Sequence, residues 1–131
     1  MRLYYFDSTA IVKLIVADQE TDALTSLSSP DSLWLTSDLA HTEVQRACLR
    51  HSPQIIEDAR RVLRHLATIQ LTSELFEAAG RLQPAHLRSL DAIHIAAALS
   101  LGSEMTAMVT YDKRLAEAAE QNGLKVLSPG A

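Results

Sequence analysis

Residues 1–14 read MRLYYFDSTAIVKL, an aromatic and apolar run that halts on a carboxylate and resumes at once with a different periodicity. Leu3–Phe6 has the composition of a short strand, whereas from Ser8 to Val16 the apolar residues Ala10, Ile11, Leu14 and Ile15 recur at helical spacing. Asp7 is the joint of a strand-to-helix unit. The same grammar returns three times. Leu33–Thr36 precedes a helix over Leu39–Arg50, Ile69–Leu71 precedes a helix over Ser73–Leu82 that Pro84 ends, and Thr106–Thr110 precedes Lys113–Gln121, stopped by Asn122 and Gly123. Between them, Ile55–Ala67 places Ile55, Ala59, Val62, Leu63 and Leu66 on one face and forms a helical hairpin with its predecessor. The segment Arg88–Leu101 is apolar on nearly every side beyond its first turn, which marks a packed helix, and Lys125–Leu127 is a last strand. Short strands alternating with longer helices specify an α/β fold, with a mainly parallel central sheet covered on both faces, in a single domain over residues 1–131.

Composition narrows the functional classes. A chain of 131 residues with 47% hydrophobic content builds a real core. Its longest apolar stretch, Ala92–Leu99, is interrupted by His94 and falls far short of the roughly 18 residues that a membrane span requires. No basic segment followed by a cleavable apolar one opens the sequence, so the expectation is a soluble cytoplasmic protein without membrane association. Cys48 is the only cysteine, which excludes an internal disulfide and a zinc site of paired cysteines. The net charge of -4 argues against gripping nucleic acid by bulk electrostatics, so any such role rests on a local basic patch.

In a parallel sheet all strands point their C-terminal ends to one edge, where ligands bind. Asp7 and Asp112 both follow strands and fall on that edge. Asp91 occupies the first turn of the packed helix, where a charge calls for a partner. Glu43 lies one turn into the helix after the second strand; Asp38, closer to the strand end, is a rival that the pattern alone leaves open. Taken singly, each Asp also reads as a helix cap or a complement to a helix dipole, and the Glu as a solvated surface group. Gathered on one edge, four carboxylates repel one another unless a hard divalent cation such as magnesium neutralises them. Ions so held, next to a phosphodiester, deprotonate a water, orient it for attack and stabilise the leaving oxygen.

The flanking residues fit that chemistry. Ser8, Thr9 and Thr110 either cap helices or support metal-bound water. His94, one turn from Asp91, reads as a hydrogen-bonded residue of a packed helix that also lies within reach of the site. Arg46 and Arg50 follow Glu43 at i+3 and i+7, and Lys113 and Arg114 adjoin Asp112; these are the candidate phosphate contacts. Arg60, Arg61 and Arg64 on the neighbouring helix extend the basic patch or serve a protein contact. A phosphatase of the haloacid dehalogenase class would need an Asp two residues after the first, where Thr9 stands, and a response-regulator receiver would need an acidic pair near the first strand.

Four segments, YFDSTAIVKL (5–14), SDLAHTEVQRA (37–47), LRSLDAIHIAAAL (87–99) and VTYDKRLAEAAEQNGLKV (109–126), resemble in order, spacing and flanking residues the four motifs of PIN-domain ribonucleases, particularly VapC-type toxins. The resemblance runs from Leu3 to Val126 and selects Glu43 over Asp38. It implies a three-layer α/β/α PIN-like fold and assigns Asp7 and Asp91 as principal metal ligands, with Glu43 and Asp112 completing the catalytic pocket and Thr9 and Thr110 supporting it. It further implies Mg²⁺, or Mn²⁺ in its place, as cofactor for endonucleolytic cleavage of tRNA, rRNA or mRNA, leaving a 3′-hydroxyl and a 5′-phosphate. A homodimer neutralised by a cognate VapB-type antitoxin is the implied assembly. The reading from a different class is a non-catalytic PIN-fold module that binds RNA or protein.

Overall fold

A computed structural model describes all of residues 1–131. Five strands, β1 (Arg2–Phe6), β2 (Ser32–Ser37), β3 (Ala67–Ile69), β4 (Met105–Val109) and β5 (Val126–Leu127), form one sheet in the order β3-β2-β1-β4-β5. Every neighbouring pair is parallel. Seven helices connect them: α1 (Ser8–Ile15), α2 (Thr21–Thr25), α3 (Asp38–His51), α4 (Ile56–Arg64), α5 (Ser73–Gly80), α6 (Ser89–Leu99) and α7 (Lys113–Gln121).

The YYF run shows why the sheet must be covered on both sides. Side chains alternate along a strand, so Tyr4 and Phe6 face one way and Tyr5 the other. Tyr4 and Phe6 pack with Ile11 of α1, Leu24 of α2, Val44 of α3 and Leu63 of α4. Tyr5 packs with Ile95 of α6, Met108 of β4 and Leu115 of α7. Three layers follow from this two-sided burial. Phe6 is fully buried and stacks on Trp34 of β2 at a centroid distance of 4.5 Å, burial that stabilises by about 1.5–3 kcal/mol for a side chain of this size. The register of β1 on β4 shifts between Leu3 and Tyr4, and the Thr106 hydroxyl accepts the Leu3 N–H there at 3.1 Å.

Several boundaries differ from the periodicity; α5, for one, ends at Gly80 rather than Leu82. The hairpin helix ends at Arg64 rather than Ala67, and the strand after it is Ala67–Ile69 rather than Ile69–Leu71. The backbone leaves the helix at His65, whose N–H reaches only to Val62, yet Leu66 remains buried and prolongs the apolar pattern past the point where the helix has stopped. The packed helix likewise spans Ser89–Leu99 rather than Arg88–Leu101, with Ala92 and His94–Ala98 buried. No helix is long and apolar enough to cross a membrane.

The chain builds β1, β2 and β3 to one side, then crosses back to place β4 on the other flank of β1. The β1–β4 junction is therefore the point where strand order reverses, at whose carboxyl end a crevice opens. Asp7 directly follows β1, and Thr110, Tyr111 and Asp112 directly follow β4.

Candidate active site

Asp7 is both a cap and a buried charge. Its Oδ1 accepts the Ala10 N–H at 3.0 Å, closing the first turn of α1, and the Thr9 hydroxyl at 2.7 Å; Oδ2 accepts the Thr110 hydroxyl at 2.6 Å. Only 2% of the residue is exposed. Burial pushes its carboxyl above the ordinary range, although Thr110, Thr9 and the Ala10 amide pull the other way. Both threonine hydroxyls pass the constraint on: Thr9 Oγ1 accepts the Tyr111 N–H and Thr110 Oγ1 the Asp112 N–H, each at 3.0 Å. The loop after β4 is thus tied to the carboxylate after β1.

The other three acids surround one cavity of about 380 Å³, lined by Glu43, Asp91 and Asp112 with Arg88, Ser89 and Leu90. Asp112 caps α7, its Oδ1 accepting the N–H groups of Arg114 at 2.9 Å and Leu115 at 3.2 Å. Glu43 Oε1 lies 2.6 Å from Nε2 of buried His94. Asp91 Oδ2 accepts a hydrogen bond from Arg88 Nε at 3.1 Å and lies 3.1 Å from its Nη2, which also stands 3.8 Å from Asp112 Oδ2. The Arg88 guanidinium thus bridges two of the acids.

This donor set can be tested against a divalent ion. No three Asp, Glu, His or Cys side chains form a ready-made metal cluster, and Asp7 lies outside the cavity lining. Yet Asp91 Oδ1 and Glu43 Oε2 accept no hydrogen bond from the protein, and all the donors are carboxylate oxygens. A hard ion of the magnesium kind is typically held by one or two carboxylates, its own waters and substrate phosphate rather than by a protein cage. The chemistry fits such an ion.

Asp38 takes a different part from Glu43. It is exposed, and its Oδ2 accepts the Leu71 N–H at 3.0 Å, pinning the segment after β3. Of the basic candidates, Arg46 and Arg50 border a cavity of about 670 Å³ that adjoins Glu43 and Thr9 between α1 and α3. Arg114 borders a third cavity, of about 380 Å³, shared with Arg88 and Asp91, whereas exposed Lys113 borders none of these three. Arg60 and Arg61 pair with Glu57 and Asp58 one turn earlier on α4 rather than extending the patch. Arg88, Tyr5 and Ser37 carry no signal in the sequence that marks them as part of the site. An arginine three residues before Asp91 on an emerging helix is the nearest to one.

A family model described as PIN domain matches residues 4–121. The chain is 40% identical to Ribonuclease VapC46 of Mycobacterium tuberculosis over 129 residues, covering 98% of this chain and 99% of that one. Among solved structures it resembles M. tuberculosis VapC20, described as a Sarcin-Ricin loop cleaving toxin, with a TM-score of 0.74 at 17% identity over 96% of this chain and 99% of the other. A toxin-antitoxin complex from Klebsiella pneumoniae aligns with a TM-score of 0.72 at 19% identity, over 96% and 97% of the two chains.

Proposed function

The chain belongs to the PIN-domain family, among its VapC ribonucleases, and we propose that it is the toxin of a type II toxin–antitoxin pair, a cytoplasmic endoribonuclease that depends on Mg²⁺ or Mn²⁺ and cuts tRNA, rRNA or mRNA. The observation that carries this reading is the convergence of Glu43, Asp91 and Asp112 on one cavity at the carboxyl edge of the sheet, with the buried Asp7 tied to Asp112 through Thr110. A divalent ion at these acids supplies a water of lowered pKa and positive charge for the phosphate.

The residues of the chain do the rest. Asp91, Glu43 and Asp112 are the residues that would hold the ion, and Asp7 would add negative charge from within the fold. Arg46 and Arg50 bind the phosphates of the RNA on the Glu43 side, and Arg114, with Lys113 beside it, those on the Asp91 side. Thr9 and Thr110 keep Asp7 and the loop after β4 in one arrangement. The active form is a homodimer, and a VapB-type antitoxin silences it by covering the cavity.

The test is cleavage of a labelled structured RNA by the wild type and Asp91→Asn, with Mn²⁺, with EDTA, and with the product of any small reading frame adjoining the gene. Cleavage is expected only for the wild type with metal and without antitoxin. An RNA that is bound but never cut would favour a non-catalytic RNA-binding module instead.

A further inference from the structure

One buried polar chain approaches the site from the core and ends on one of its acids. Ser37 Oγ at the end of β2 lies 2.9 Å from Tyr5 Oη of β1, Tyr5 Oη lies 2.8 Å from His94 Nδ1 of α6, and His94 Nε2 lies 2.6 Å from Glu43 Oε1 of α3. Tyr5 is fully buried and His94 is 3% exposed, while the Glu43 side chain is 25% exposed. The chain therefore runs from the core to the cavity. An ionised carboxylate only accepts, so the hydrogen between the two groups is on Nε2 of His94. The Tyr5 and His94 rings meet edge to face, 69° apart with centroids 5.9 Å from each other, which holds the imidazole in a single orientation.

A glutamate on a helix loses rotamer freedom only if something holds it, and only one of its two oxygens is held here. We propose that His94 is a positioning residue of the nuclease: its Nε2–H fixes Oε1 of Glu43, Tyr5 fixes the ring from behind, and Oε2 is thereby the oxygen left to bind. This rests on the reading of the acidic cavity as a metal-dependent site. Partners that orient a metal-binding side chain matter nearly as much as the side chain itself, and their removal typically costs about 10- to 100-fold in metal affinity or rate.

The experiment compares wild type, His94→Phe, His94→Gln, Tyr5→Phe and Glu43→Gln, each checked by thermal melting. Mn²⁺ affinity is read by electron paramagnetic resonance, and kcat and KM are measured on a fluorogenic single-stranded RNA. His94→Phe is expected to lose about 10- to 100-fold in kcat or Mn²⁺ affinity with RNA KM nearly constant. His94→Gln, whose amide N–H replaces Nε2–H, is expected to recover most of the loss. Should His94→Phe fail to fold, Tyr5→Phe decides, since it deletes a single oxygen and should lower kcat or Mn²⁺ affinity by about two- to tenfold, the size of one lost hydrogen bond. A folded His94→Phe, or in its place Tyr5→Phe, that matches wild type while Glu43→Gln loses metal and activity overturns the positioning role. If Glu43→Gln itself matches wild type, the assignment of the acidic cavity has failed, and the role of His94 with it.

Discussion

Thr110 donates its hydroxyl to Oδ2 of Asp7 at 2.6 Å, joining the residue that directly follows β4 to the residue that directly follows β1. The Thr110 hydroxyl oxygen in turn accepts the Asp112 N–H at 3.0 Å, so one buried hydroxyl links two of the four acids. Thr110→Val keeps the shape and deletes both contacts, leaving a buried carboxylate short of a donor and a backbone N–H unpaired. A loss of about 1–3 kcal/mol is expected in denaturant titration, with Thr110→Ser close to wild type. Equal stability of Thr110→Val and wild type would show that the hydroxyl is dispensable.

Asp7 is expected to oppose stability while serving activity. Burial raises its pKa in the folded state above the unfolded value, so the folded protein binds the proton more tightly. Stability is then highest below the unfolded pKa and falls as pH rises through the window between the unfolded and the raised folded value, leaving a deficit at neutral pH. Asp7→Asn keeps a good N-cap for α1 and removes that deficit. In EDTA at neutral pH its melting temperature should exceed that of wild type by about 2–4 °C, while RNA cleavage disappears. A variant that melts below wild type would contradict this balance.

Arg88 occupies the space between Asp91 and Asp112 as a counter-charge and so competes with any cation there. Its side chain is 57% exposed, which keeps each ion pair in the range of about 0.2–1 kcal/mol. Arg88→Ala should therefore tighten Mn²⁺ binding by about two- to fivefold, as measured by calorimetric titration. Weaker binding in the variant would mean that Arg88 supports the ion rather than displacing it.

Arg46 and Arg50 lie along the cavity that adjoins Glu43, away from the acids that Arg88 bridges. Their joint replacement by Ala should raise KM for RNA with kcat little changed, and should flatten the dependence of log affinity on log salt by roughly one to two. An unchanged salt slope would remove them from the path of the RNA.

Several elements were legible because their determinants are local. The switch of period at Asp7 marks β1 and α1, and the same switch at Asp112 marks the start of α7 at Lys113. Helix α4 ends three residues before its apolar pattern does, because burial, not helicity, governs where apolar residues continue, and Leu66 stays in the core after the backbone has turned. Sequence pattern left Asp38 and Glu43 equivalent. Packing separates them: Asp38 spends its carboxylate on the Leu71 N–H, and Glu43 borders the cavity.

By itself the sequence determined the α/β class, the parallel sheet and the placing of carboxylates at strand ends, because side-chain periodicity and capping act over a few residues. Only the tertiary structure decided which of those carboxylates is buried, which share a cavity, and which arginine and histidine attend them. The His94–Glu43 contact spans 51 positions of chain, and Thr110–Asp7 spans 103. Such pairs exist only once α6 and β4 have packed against the rest of the sheet. No local propensity encodes a hydrogen bond whose two partners are brought together by the burial of everything between them.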